Sequence, residues 1–190
     1  VSGFSCPPVS RIRWYEQGET CVEAKVGDLF LLAHDSLTGK LIRFGERLRG
    51  YGRFSWCNHA AVVVGSKGGR VSIAEATAKG VVVTELTEAY SHLLYAVISF
   101  DVSEEQRSLA AAYAAGTEGV AYAWLTIVGE VIYVLTGLPL ALGWGRSVIC
   151  SGDAATALIC SGLRPDKAPS MVMPSDLARY AGAVPSSSSS

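Results

Sequence analysis

Two apolar, strand-like segments, each interrupted by one ionisable side chain, constrain this chain more than anything else in it. Residues 54–65, which end in Ala60-Ala61-Val62-Val63-Val64-Gly65, are a β-branched run that reads as a central strand, with His59 embedded in it. Ser66-Lys67-Gly68-Gly69 reads as a hairpin loop, and residues 70–77 as the returning strand, with Glu75 inside its apolar part. A ring nitrogen or a carboxylate in such a strand is costly to bury unless another group satisfies it. Side chains alternate faces along each strand, so a one-residue slip decides whether the two polar groups share a face. With residues 65–69 as a five-residue loop, Val64 faces Arg70 and His59 lies directly opposite Glu75. That register satisfies both groups and is the expected one. Cys57, two residues before His59, is expected on the same face.

A second segment supplies a third polar group. Residues 147–160, Ser147-Val148-Ile149-Cys150 and onward to Cys160, read as a short helix with a thiol in its first turn. With Ser147 as N-cap, Cys150 falls at N3, where unpaired backbone N–H groups and the positive end of the helix dipole face the side chain. Such a setting favours the thiolate, the nucleophilic form. A thiol nucleophile needs an imidazole to take its proton and a polar group to orient that imidazole. The chain has three histidines. His34 sits at a strand end beside a loop, His92 precedes an apolar run, and His59 has Glu75 across the hairpin, so the expected set is Cys150, His59 and Glu75.

Around these segments the chain reads as strand-rich first and helical later. Leu29-Phe30-Leu31-Leu32-Ala33 is an expected strand opened by the turn Lys25-Val26-Gly27-Asp28, and residues 34–40 a loop. Residues 81–86 and 93–100 are further strands. Ser103 with Gln106 three residues on is a capping box opening an Ala-rich helix to Gly116. A short helix opens at Ser175-Asp176-Leu177, and a Ser-rich tail follows Pro185. This order is α+β rather than alternating βαβ. Residues 1–24 read as an N-terminal arm with a short helix or strand, 25–182 as one domain, and 183–190 as tail or linker.

Composition narrows the function classes. The 49% hydrophobic and 17% charged content describes a globular chain with a generous core. Arg43, Arg47, Arg49 and Arg53 lie among Phe44, Tyr51 and glycines, a mixture able to bind phosphates or stack bases. The net charge of -1 gives nucleic acid no support, so the stretch is read as a solvated loop at a cleft rim. Five cysteines without a C-x-x-C pair argue against a zinc ribbon and a dense disulfide framework; a bridge between Cys6 and Cys21 is compatible with the sequence but not required by it. Residues 120–144 carry a single charge, Glu130, but Gly129, Gly137, Pro139 and Gly143 break them, and a buried core helix with an apolar lip is expected rather than a membrane span. The chain begins with Val1 and shows no basic–apolar–small signal pattern, which reads as a processed form or a piece of a larger protein.

The order of His, Glu on the adjacent strand and Cys at the start of a later helix resembles the circularly permuted papain-like fold. More narrowly it resembles the YiiX-like branch of the NlpC superfamily of cysteine peptidases and amidases. The resemblance is carried by Gly27-Asp28-Leu29-Phe30-Leu31, by Asn58-His59 through Gly65, and by Ile73-Ala74-Glu75-Ala76 with Gly80-Val81. Later come Val148-Ile149-Cys150-Ser151 and Met173-Pro174-Ser175-Asp176-Leu177-Ala178, so it spans about residues 25 to 180. It implies an antiparallel sheet or small barrel packed against helices and a nucleophile at a helix N-terminus. It also implies Cys150 as nucleophile, His59 as base, Glu75 as orienter and the Cys150 backbone N–H as an oxyanion donor.

On this reading Tyr122, Cys57 and Asn58 belong to the substrate-binding wall. The family often carries a Tyr-Asp pair before the cysteine; here the sequence is Tyr122-Ala123-Trp124, without the aspartate. Cys57 is a structural thiol, a rival nucleophile or a disulfide partner of Cys150. No cofactor and no metal is expected, because Cys57, His59, Glu75 and Cys150 lack metal-ligand spacing. The expected activity is hydrolysis of an amide or peptide bond, in a cell-wall peptide by family analogy. Two alternatives stand beside it. One is a lipid-directed acyltransferase or esterase resembling lecithin:retinol acyltransferase; the other is a non-catalytic binding module on the same fold.

Overall fold

The computed structural model describes residues 9–121 and 149–186. Six strands form one open antiparallel sheet: β1 (Val9–Tyr15), β2 (Leu29–Leu32), β3 (His59–Lys67), β4 (Arg70–Thr77), β5 (Gly80–Glu85) and β6 (Tyr95–Phe100), in the order β1-β6-β2-β3-β4-β5. The α-helices among the described residues are α1 (Leu37–Leu48), α2 (Leu86–Tyr90), α3 (Glu104–Gly116), α4 (Cys150–Cys160) and α5 (Pro174–Ala181). The α+β class and the antiparallel sheet agree with the expectation; the sheet is open, not a small barrel. Within the N-terminal arm, β1 pairs with β6 as an edge strand. Its exposed side carries Arg11 and Arg13, which pair with Glu23, a charged edge of the kind that discourages strand addition.

Period-two alternation divides the core into two layers. Leu29, Leu31, Ala60, Val62, Ala74, Ala96 and Ile98 face one side, where Ala110 and Ala114 of α3, Ala154 to Leu158 of α4, and Leu177 of α5 cover them. Alanine on both partners lets these helices approach the sheet closely. Phe30, Leu32, Ala61, Val63, Ile73 and Val97 face the other side, closed by Cys21, Ala24 and Leu86, with Tyr90 at its margin. The central strand β2 is apolar throughout because it is covered on both faces.

One ion pair bolts the sheet to α3. Asp28, 1% exposed, accepts from Arg107 Nη1 at 2.6 Å, from Ser99 Oγ at 2.8 Å and from the Lys25 backbone N–H at 2.9 Å. Arg107 also donates to the Phe100 carbonyl. Gly27 is required beside it, since φ is +83° and a Cβ there would lie 2.7 Å from the Arg107 carbonyl oxygen.

Three expectations are corrected by the structure. The β3–β4 connection is a two-residue turn, Gly68-Gly69, with φ of +60° and +77°, the signs a type I′ hairpin needs, not a five-residue loop. Residues 37–48, expected as loop and basic rim, are helical, because Ser36 Oγ accepts from the Gly39 N–H at 3.1 Å and caps the helix. The arginine-rich stretch therefore lies largely on α1 and a 3-10 turn at Gly52–Phe54. The central strand begins at His59 rather than at residue 54. By contrast, the Ser103/Gln106 capping box forms as expected. The apolar segment 120–144 lies, beyond Ala121, outside the described residues. No helix among the described residues is long and apolar enough to cross a membrane.

Removing one member of a buried pair strands the other's charge. Asp28→Ala is expected to destabilise the fold by about 3 kcal/mol or more, read as a lowered urea midpoint, whereas Glu23→Ala on the exposed edge shifts it by about 1 kcal/mol at most.

Candidate active site

His59 enters the site because a bulge corrects the hairpin's register. Lys67 faces Arg70 and Gly65 faces Ser72. Continued unbroken, that register would set Val62 opposite Glu75 and send His59 to the other side of the sheet. The pairing instead shifts between Val63 and Gly65, so that Ala61 faces Glu75. His59 and Glu75 then share a face as diagonal rather than direct neighbours. Their Nε2 and Oε2 atoms are 2.7 Å apart, with the carboxylate side chain 2% exposed and the ring 15%.

A second donor completes the carboxylate's shell. Tyr90, the last residue of α2, donates its hydroxyl to Glu75 Oε2 at 2.5 Å, and its ring lies 6.3 Å from the His59 ring. Thr84 adds a side-chain hydrogen bond. Nothing in the sequence pointed to Tyr90. Its five-residue helix is too short for periodicity, and its one useful signal is the Leu86/Tyr90 spacing that turns both toward the sheet.

Cys150 comes to the same place from the opposite layer. It is the first residue of α4, 9% exposed, packed with Ala76, Val81 and Val120 at the ends of β4 and β5. The N-cap is Ile149, so the thiol stands at N1 rather than N3, and Ser147 lies outside the described residues. The N-terminus of α4 is held by Ser151, whose hydroxyl donates to the Val172 carbonyl at 2.6 Å. Gly152 is held too; a Cβ there would lie 2.8 Å from the Pro169 carbonyl oxygen. At N4, burial pushes the Asp153 carboxyl up to about 6, with Thr117 and Tyr113 only partly opposing it.

The electrostatics follow from this packing. Burial pulls the His59 ring down, but the neighbouring Cys150 sulfur and the Glu75 carboxylate outweigh it, and the ring is held up to about 10. Burial pushes Glu75 up, yet its bonds to His59 and Tyr90 leave it below the ordinary carboxylate value. Tyr90 is raised by burial and by Glu75, so it remains a donor. With Nε2 engaged by Glu75, Nδ1 is the ring atom left for sulfur. A thiol beside an imidazole that a carboxylate holds is a set of groups able to exchange a proton with the ring.

The other expected site residues fall elsewhere. Cys57 precedes β3, so strand alternation does not carry back to it. It is fully buried in the helix-side layer with Leu31 and Ala60, its thiol pushed well up by burial and by the charge of Glu46. It cannot touch a substrate in that position. Asn58, 5% exposed, spends both amide atoms on the backbone of His34: Oδ1 accepts from its N–H at 2.8 Å and Nδ2 donates to its carbonyl at 2.7 Å. It is a bracket that holds the end of β2 beside His59. Tyr122 lies outside the described residues, as does Cys6. Cys21, Cys57, Cys150 and Cys160 are free thiols. His34 and His92 are exposed. Among the described residues no group of three or more His, Cys, Asp and Glu side chains is placed to hold a metal ion.

No protein-family model matches the chain, and no curated protein matches it. Among solved structures it is similar to the metalloprotein yiiX from Escherichia coli O157:H7, designated DUF1105, at 20% identity. That match covers 61% of this chain and 68% of the other, with a TM-score of 0.44.

Linkage gives the pair a defined pH window. His59 is raised, so its contribution to stability is complete below its ordinary 6.5 and is lost as pH rises through about 10. Glu75 is lowered, so its contribution is complete above 4.5 and is lost as pH falls. The destabilisation caused by Glu75→Gln is therefore expected to be largest between 4.5 and 6.5 and to shrink toward either extreme, in urea unfolding of both proteins across pH.

Proposed function

We propose that this protein is a thiol hydrolase of the permuted papain-like, NlpC type, acting on an amide or peptide bond. The observation that carries the reading is the His59–Glu75 contact at 2.7 Å, together with a cysteine at a helix N-terminus near enough to raise the ring's pKa. Cys150 Sγ attacks the acyl carbon as a thiolate and forms a C–S bond while the carbonyl oxygen takes up negative charge. The Cys150 backbone N–H, one of those that the first turn of a helix leaves without an intrahelical partner, is one donor for that oxygen. The imidazolium of His59 gives its proton to the leaving amine as the C–N bond breaks, leaving a thioester. His59 then takes a proton from water, whose oxygen attacks the thioester, and returns it to sulfur as the acid departs. Glu75 keeps the ring's orientation and stabilises its charged form, and Tyr90 keeps Glu75 in place.

Cell-wall peptides are the first substrates to try, on the strength of the family resemblance alone. The same three roles serve lipid-directed acyl transfer. The apolar outer surface of α1, one element away from His59, is the feature that favours including lipid esters in the panel.

The test is intact-mass analysis of the protein incubated with activated amide, peptide and ester acyl donors. An acyl adduct on Cys150 and turnover reduced by about a thousandfold or more in both Cys150→Ala and His59→Ala are expected. Undiminished turnover in Cys150→Ala, or an adduct on another thiol, contradicts the proposal.

A further inference from the structure

The amphipathic pattern of α1 is turned inside out. Its inward side carries Gly39, Gly45 and Glu46, all buried. Gly39 sits where a Cβ would lie 2.4 Å from Asn58 Nδ2, and Glu46, 0% exposed, accepts from the Ser175 backbone N–H at 3.2 Å. Small and polar residues thus fill the side that a surface helix ordinarily gives to leucines. The apolar residues point outward. Leu37, Leu41, Phe44 and Leu48 recur at helical spacing along one line and are 76%, 50%, 55% and 63% exposed. Single exposed leucines are ordinary, but four in register on a helix form a patch that calls for an occupant.

Charge decides which occupant. Lys40 and Arg47 are exposed along one flank of the stripe, with Arg43 beyond them, tied to Asp35 at 3.6 Å. The helix has one acidic residue, Glu46, and it faces the interior. The outer surface of α1 is therefore a leucine–phenylalanine ridge with a cationic border, in which Lys40 and Arg47 form no ion pair with an acidic side chain among the described residues. A second copy of this chain would bring no acidic partner on the same helix. The headgroup region of an anionic bilayer supplies both an apolar layer for the ridge and phosphates for the flank.

We infer that α1 is an interfacial helix that lies on anionic lipid membranes, inserting Leu37, Leu41, Phe44 and Leu48 while Lys40 and Arg47 meet lipid phosphates. At 12 residues it lies on the bilayer rather than crossing it. The inference does not depend on the chemistry proposed for Cys150. It has a consequence for placement all the same. Gly39 packs on Asn58, the residue before His59, so docking through α1 brings the candidate site to the membrane surface.

Vesicle flotation of the full chain tests it, with phosphatidylcholine vesicles and with vesicles of phosphatidylcholine and phosphatidylserine. The chain is expected to float with the anionic vesicles and to release as salt rises. The double variant L41E/F44E is expected to lose flotation, and K40E/R47E to bind anionic vesicles about tenfold more weakly or worse. All these positions are exposed, and far-UV circular dichroism matching the unaltered chain confirms that the variants fold. The inference is overturned if the unaltered chain stays with the soluble fraction. Flotation of L41E/F44E equal to the unaltered chain also overturns it. So does light scattering that shows a dimer, broken by L41E/F44E, with no vesicle binding.

Discussion

A carboxylate with 2% of its side chain exposed cannot stay ionised without donors, and the site is built around meeting that demand at Glu75. Two donors reach the same oxygen, His59 at 2.7 Å and Tyr90 at 2.5 Å, from different elements. Each donor does further work. The His59 ring is fixed with one nitrogen committed to Glu75 and the other left free of that bond. The Tyr90 hydroxyl ties α2 to β4 and closes the lower margin of the second core layer. Loss of the carboxylate would free the ring, loosen α2 and leave the partly buried Tyr90 hydroxyl without its acceptor.

That arrangement depends in turn on one backbone irregularity. The glycine turn at residues 68–69 imposes a register that would separate His59 from Glu75, and the bulge between Val63 and Gly65 restores the parity. Bulges commonly sit where a side chain must be re-aimed, at a cost to local pairing. Here the neighbouring backbone is not left unmet, since the Val63 N–H donates to the Asp28 carbonyl at 2.9 Å and the Val63 carbonyl accepts from Gly27 at 2.8 Å. The turn at residues 25–28 that meets Val63 also places Asp28 for its pair with Arg107, so the bulge that aligns the site adjoins the contact that holds the sheet to α3.

Much of this was legible in the sequence, for reasons that differ by residue. The strands of the hairpin were readable from β-branched runs, and the Ser103 helix from a capping box, because both signals are local. The pairing of His59 with Glu75 on one face was readable because two buried polar groups have few ways to be satisfied. The route to it was misread: two errors, a loop of the wrong length and an unforeseen bulge, compensate in parity. Helix α1 escaped because Gly39 and Gly45 weaken its propensity and its apolar stripe faces outward, so it lacks the usual inward pattern. Cys57 and Asn58 looked like site residues by proximity in sequence. Their burial and bonding show that nearness to His59 along the chain is a poor guide where a strand begins. Asp28 read as a turn residue because its partner Arg107 is 79 positions away, a pairing no local pattern reveals.

The central claim is that Cys150 and His59 act as one unit, the ring holding the sulfur in its reactive form. The most direct measurement is the rate of iodoacetamide alkylation at each cysteine, resolved by peptide mapping over a range of pH, for the unaltered chain and for His59→Ala. Alkylation at Cys150 faster than a model thiol at neutral pH, falling toward the model rate when His59 is lost, while buried Cys57 stays unreactive, is the predicted result. A Cys150 rate no higher than the model thiol, or one indifferent to loss of the imidazole, would contradict the account.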